Sequence, residues 1–146
     1  MKKSIFWPLL ICTLAGPLQS ETASGSEVVF IDHEAMTAAF QVGQRLVANK
    51  NYNVSASRRD QVGTAEIHDN VTDIFYFISG TAIFVTGGSL VDSRQTGPGE
   101  WRGSSSEGGI ARSVASGDMI VVPKGTTHWF SAVNGVIQYY IIKVTD

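Results

Sequence analysis

Glu66 and His68 lie two residues apart in a stretch, Thr64 to His68, that reads as a β-strand. Successive strand side chains alternate between faces, so this spacing sends the carboxylate and the imidazole out of one face, where both can grip one ion. Asp73 would come from the following strand and His128 from a strand much later in the chain. Two imidazoles and two carboxylates suit Mn²⁺, Fe²⁺, Ni²⁺ or Zn²⁺ and leave positions open for water or a bidentate substrate if the site is six-coordinate. Such an ion could polarise a carbonyl or enolate, activate water or, as iron, bind oxygen. Without an ion, Glu66 and His68 would be a hydrogen-bonded pair of polar pocket residues, which is common in barrels. His33 sits beside the N-cap of a short helix and reads as a surface or capping residue.

No thiol competes for this role. Lys2-Lys3 followed by the apolar run Ile5 to Ala15 has the two-part form of a secretory signal, so residues 1–20 are expected to be removed and the protein to be periplasmic or secreted. The apolar run is shorter than the ~20 residues of a spanning helix, so no stable membrane anchor is expected after signal removal. The single cysteine, Cys12, leaves with the signal. The mature chain then has neither a disulfide nor a thiolate nucleophile, and its chemistry must come from oxygen and imidazole groups. Loss of Lys2 and Lys3 leaves nine Lys plus Arg against 13 Asp plus Glu, a net charge of −4. The absence of a basic excess argues against nucleic acid as a partner. No phosphate-cradling loop and no nucleophile elbow is present. Arg58-Arg59, Arg94 and Arg102 are the basic features that could hold an anionic substrate; their other reading is solvated loop charge.

The elements that must position these groups are short. Residues 21–27 form a polar leader, Val28 to Ile31 reads as a first strand, and Asp32 reads as the N-cap of a helix over Glu34 to Phe40. Residues 21–44 thus carry the leader, strand and helix, and residues 45–146 the main domain. There, every element is a short run of β-branched and aromatic residues bounded by Gly, Pro, Asn, Asp or Ser, the pattern of an all-β sandwich or barrel. Predicted strands are Arg45–Ala48, Tyr52–Ser57, Thr64–His68, Asp73–Ile78, Ala82–Thr86, Ala111–Val114, Met119–Val122, Thr127–Ala132 and Val136–Val144. Ser79-Gly80 and Asn134-Gly135 read as hairpin turns. Gln95 to Gly109, rich in Gly and Ser around Trp101, reads as a long surface loop that Trp101 pins down or through which it meets a ligand. By parity Phe130 shares the inward face with His128. Gln138 and Tyr140 share one face of the last strand and Ile137, Tyr139 and Ile141 the other. Phe130, Gln138 and Tyr140 are the pocket candidates, and which tyrosine lines the cavity stays open.

Two segments carry a recognisable spacing. The later one runs Gly117, five residues, Pro123, Lys124, Gly125, two residues, His128; the earlier runs Glu66, His68, four residues, Asp73, six residues, Gly80. These resemble the paired motifs of the cupin superfamily, with Glu66 where the family has its first histidine, Asp73 where it has glutamate, and Ala132 where an asparagine is usual. The resemblance spans roughly Val47 to Val144 and is strongest to small single-domain bacterial cupins. It implies an all-β, double-stranded β-helix (a jelly-roll barrel) with a short N-terminal helix, and a homodimer in contact through the N-terminal elements. It also implies a divalent metal held by Glu66, His68, Asp73 and His128, and a small-molecule ligand or substrate. Two functions follow as expectations: a metal-dependent oxygenase, isomerase or lyase acting on a small polar organic molecule, or a non-catalytic ligand-binding or sensing barrel, with or without metal.

Overall fold

The computed structural model describes residues 28–145, so the leader expected at residues 1–20 and the polar residues 21–27 lie outside the described residues. The helix forms where the sequence places it. Asp32 caps α1 (His33–Val42) by accepting a hydrogen bond from the Ala35 amide, and Gly43 closes its C-terminus. Eleven strands follow: β1 (Gln44–Ala48), β2 (Tyr52–Arg59), β3 (Ala65–His68), β4 (Val71–Thr86), β5 (Ser89–Val91), β6 (Arg94–Gly97), β7 (Glu100–Gly103), β8 (Ser105–Glu107), β9 (Ile110–Ala115), β10 (Met119–Val122) and β11 (His128–Thr145). Among the described residues no helix is long and apolar enough to cross a membrane.

Two strands shape the barrel. β4 and β11 are long, antiparallel and bent at the same level, so each contributes one half to each of two packed sheets. The later half of β11 pairs with β2 and the first half of β4, extending the order β1-β2-β11-β4-β10. The first half of β11 pairs with β3 and the later half of β4, giving β6-β7-β3-β11-β4-β9. This is the antiparallel jelly roll. Phe75, Phe77, Phe84, Val122, Phe130, Ile137 and Tyr139 fill the space between the sheets. The aromatic rings meet edge-on or tilted, as Phe84 and Phe130 do at 4.8 Å between centroids. A second, smaller cluster joins Ala39 and Phe40 of α1 to Ala56 and Tyr140 on the outer face.

The bends correct the reading of Ser79-Gly80 and Asn134-Gly135 as hairpins. Both pairs sit inside continuous strands, and the register of β11 on β4 slips between Asn134 and Gln138, opposite Ser79 to Thr81. Gly80 has φ +81°, and a Cβ there would lie 2.1 Å from the Val136 carbonyl oxygen. A glycine in a strand interior that marks a bend and close backbone approach looks in sequence like a turn residue. Gln95 to Gly109 is likewise not a loop. Pro98-Gly99 closes a hairpin between β6 and β7, with Gly99 at φ +70°, and β8 pairs with β5 in a small second sheet. Trp101 does pin the segment, donating its indole N–H to Asp69 (3.1 Å). Val28 to Phe30 forms no strand, because no neighbouring strand in the chain pairs with it, and Phe30 is exposed.

Candidate metal centre

β3 is the platform of the site. His128, the first residue of β11, lies directly opposite Glu66 across one edge of β3. Across the other edge β7 sets Arg102 opposite Glu66 and Glu100 opposite His68. Directly opposed residues point to the same side of a sheet, so five functional side chains converge on one face. The turn before β11 locks this register: the Gly125 amide donates to the His68 carbonyl (2.7 Å) and the Thr126 amide to the Pro123 carbonyl. Asp73 reaches the same interior from β4, two and four positions before Phe75 and Phe77, all three buried on one face.

The hydrogen bonds fix the histidine ring states. Glu100 Oε2 can only accept, so His68 Nδ1 donates to it (2.6 Å). Lys143 Nζ can only donate, so His68 Nε2 is a bare lone pair that accepts from it (2.9 Å). His128 Nδ1 donates to the Thr126 carbonyl (3.0 Å), which leaves its Nε2 facing inward, buried and without a well-aligned partner. That nitrogen lies 3.1 Å from Asp73 Oδ2 and 3.4 Å from Glu66 Oε1, between two carboxylates. An imidazole anchored through Nδ1 with Nε2 presented is the arrangement in which a second partner orients a metal-ligating histidine.

The donor atoms of Glu66, His68 and His128 all lie within 4.8 Å of one another. Ligands about 2.1 Å from one ion sit about 3.0–3.5 Å apart when adjacent; Glu66 Oε1 is 3.4 Å from His128 Nε2, and the other oxygen, Oε2, is 3.9 Å from His68 Nε2. The donor set suits a divalent metal, which would draw the Glu66 and His68 donors closer together and take the His68 Nε2 lone pair from Lys143. Asp73 Oδ2 is also 3.4 Å from His68 Nε2, but both its oxygens are bound by Lys143, at 2.9 and 3.0 Å. Burial acts to raise the Asp73 pKa, but hydrogen bonds with His128, His68 and Lys143 and the charge of Lys143 outweigh it and hold the carboxyl well below the usual carboxylate range. Glu66 is ion-paired with Arg102. Three carboxylates, Glu66, Asp73 and Glu100, thus face two cations, Arg102 and Lys143, which leaves one excess negative charge among these five groups.

A cavity of about 120 Å³, partly open to solvent, adjoins the centre. Glu66 and His128 form one part of its wall; Phe75, Phe84, Phe130 and Ile141 supply apolar surface, and Ser57, Arg59, Thr64 and Tyr139 polar groups. Phe130 thus stands in the wall, but Gln138 and Tyr140 do not. Gln138 donates to the Phe40 carbonyl and Tyr140 packs edge-on against the Phe40 ring, 5.0 Å between centroids, so both lie under α1 outside the barrel. The cause is the pair of register irregularities in β11 between Phe130 and Gln138: even-numbered residues face inward before them and odd-numbered ones after.

Two residues of the centre, Lys143 and Glu100, were not read from the sequence, and Arg102 was read only as a basic feature that could hold an anionic substrate, not as the partner of Glu66. Lys143 shares the parity of Tyr139 and Ile141 and lies directly opposite Asp73. Glu100 and Arg102 alternate as Glu66 and His68 do, and Pro98-Gly99 before them is a turn signal that marks their strand. Of the other arginines, Arg58 points outward to Asp60 (2.9 Å) and Arg94 is exposed on the terminal strand β6.

The sequence profile of the Cupin family matches residues 47–146. The chain belongs to the cupin family. No curated protein matches this cupin in sequence. Among solved structures, it is similar to BH2720 from Bacillus halodurans, with TM-score 0.59 and 18% identity over 86% of this chain and 87% of that one. It is similar to KdgF from Halomonas sp., with TM-score 0.52 and 16% identity over 71% and 77%. It also resembles the DMSP lyase DddQ from Ruegeria pomeroyi DSS-3, with TM-score 0.51 and 13% identity over 71% of this chain and 46% of that one. At these identities the likeness is one of fold, and fold alone does not select a reaction.

Proposed function

We propose that Glu66, His68 and His128 hold a divalent transition metal, and that this cupin is a metal-dependent enzyme of oxygenase, isomerase or lyase type acting on a small polar organic molecule. The observation that carries the reading is the pair of imidazoles whose Nδ1–H groups are committed to Glu100 and to the Thr126 carbonyl while both Nε2 atoms converge with the Glu66 carboxylate. Two histidines and one carboxylate suit Mn²⁺, Fe²⁺, Ni²⁺ or Zn²⁺. When bound, such an ion supplies Lewis acidity or an activated water at neutral pH. The chain does the rest: Glu100 holds the His68 ring, the apolar wall of Phe75, Phe84 and Phe130 keeps bulk water from the back of the cavity, and Tyr139 is the wall residue suited to holding or moving a proton. The DMSP lyase from Ruegeria pomeroyi supports the view that this fold hosts such chemistry.

A second reading has its own support. The Lys143 ammonium already bonds His68 Nε2 and Asp73, so the pocket carries an internal cation and a metal-free binding barrel is physically consistent. Thermal unfolding with each of the four ions, and with chelator, separates the two. A ligated ion at 100 times its Kd should stabilise by about 2.7 kcal/mol, and His128→Ala should abolish that gain; no gain with any ion supports the binding barrel. We further propose export, tested by recovering the mature protein from the periplasmic or culture fraction, and a homodimer, tested by light scattering.

A further inference from the structure

One cation in the cavity wall, Arg59, forms no ion pair among the described residues and buries one donor without an acceptor. Ser57 and Arg59 alternate inward from β2, whereas Ala56 lies beneath α1 and Arg58 points outward. The Arg59 guanidinium lies 5.0 Å from the centroid of the Phe130 ring, and it occupies the space beside Gly63, where a Cβ would come within 2.9 Å of its Nη1. Its Nε is buried without an acceptor. Trp129, another residue of the wall, also buries its indole N–H without an acceptor. Leaving buried donors unpaired is costly, more so on a charged group. The Nε and Nη donors of a guanidinium form the fork that matches a carboxylate in two parallel hydrogen bonds.

Size and charge narrow the guest. A cavity of about 150 Å³ admits benzene, so 120 Å³ encloses at most about six non-hydrogen atoms. Glu66 and Asp73 at the metal end oppose a second full negative charge on the guest.

We propose that Arg59 anchors the substrate's carboxylate, and that the cavity takes a three-carbon monocarboxylate with a further oxygen on its second carbon, a 2-oxo or 2-hydroxy acid, turned toward Glu66 and His128. This deepens the reading of the cavity as a substrate site. The test titrates pyruvate, lactate and the neutral amide of pyruvate into the wild type, Arg59→Met and Gly63→Ala, by calorimetry, with and without chelator. Metal content and melting temperature of each variant are recorded alongside.

Losing charge-assisted bonds to the carboxylate should weaken acid binding by about 10- to 100-fold in Arg59→Met. Gly63→Ala, which displaces the guanidinium but keeps its charge, should weaken it severalfold. The amide should bind the wild type at least about tenfold more weakly than the acid, and Arg59→Met should no longer tell the two apart. Metal content should stay unchanged in both variants. Discrimination that persists with chelator upholds the anchor even if the metal reading falls. Equal binding of acid and amide, unchanged affinity in Arg59→Met, or no binding of either acid at about 10 mM overturns the anchor even if the metal is present.

Discussion

Removing the Lys143 charge tests the electrostatics of the centre with both histidines kept, although it also frees His68 Nε2. Asp73 is buried, with 1% of its side chain exposed, and Lys143 binds both its carboxylate oxygens. Breaking one side of a buried ion pair costs about 3–5 kcal/mol, because the remaining charge has no compensation. The Lys143 side chain is 31% exposed, so water screens part of the interaction, and the expected cost of Lys143→Met in the metal-free protein is about 2–3 kcal/mol. At this chain length that lowers the melting temperature by about 5–10 °C. Urea unfolding of wild type, Lys143→Met, Asp73→Asn and the double variant in chelator forms a double-mutant cycle. The coupling should be at least about 1.5 kcal/mol, with the double variant more stable than Lys143→Met plus Asp73→Asn would add to. A coupling near zero, or Lys143→Met as stable as wild type, would refute the account of Asp73 as a carboxylate held by an internal cation.

Other consequences follow from single contacts. Glu100→Gln keeps the shape but weakens the bond that orients His68, and metal affinity measured against a competing chelator should fall about 10- to 100-fold with the fold intact. Because the Asp73 carboxyl is held below its unfolded value, the unfolded chain takes up the proton first. Its contribution to stability is therefore complete above the ordinary aspartate range and is lost as pH falls through and below it. Asp73→Asn should flatten the acid limb of a stability profile between about pH 5 and pH 2. Gly80→Ala drives a Cβ into the Val136 carbonyl at a positive φ and should cost at least about 2 kcal/mol in urea unfolding; Gly135→Ala, with open space around it, should cost only about 1 kcal/mol.

What the sequence showed and what it hid have the same physical origin. Strand alternation over short distances is reliable, so Glu66 with His68, and His128 with Phe130, share faces as expected from their spacing. The N-cap at Asp32 and the turns at Gly117 and Gly125 are local signals, and the chain uses them locally. Parity fails where a strand changes register. Reading Gly80 and Gly135 as turn residues cut β4 and β11 in two, and with the last strand taken alone nothing told which of its faces turns inward, so Gln138 and Tyr140 stood as candidates where Tyr139 and Ile141 line the cavity. Lys143 and Glu100 escaped, and Arg102 was seen only as a candidate for holding an anion, because each joins the site through a partner 32 or more residues away, which spacing along one strand cannot reveal. Arg59 and Arg58 were one feature in sequence; only the pairing of β2 separates the inward residue from the outward one.

Whether Glu66, His68 and His128 hold a metal is tested most directly by the metal content of the mature protein purified without chelator or affinity tag, beside a His68→Ala, His128→Ala double variant. Near one equivalent of a transition metal in the wild type, lost in the folded variant, is the predicted result. Metal content near zero in both, persisting after Mn²⁺, Fe²⁺, Ni²⁺ and Zn²⁺ are each offered, would contradict it and leave Lys143 as the resident cation of a metal-free binding barrel.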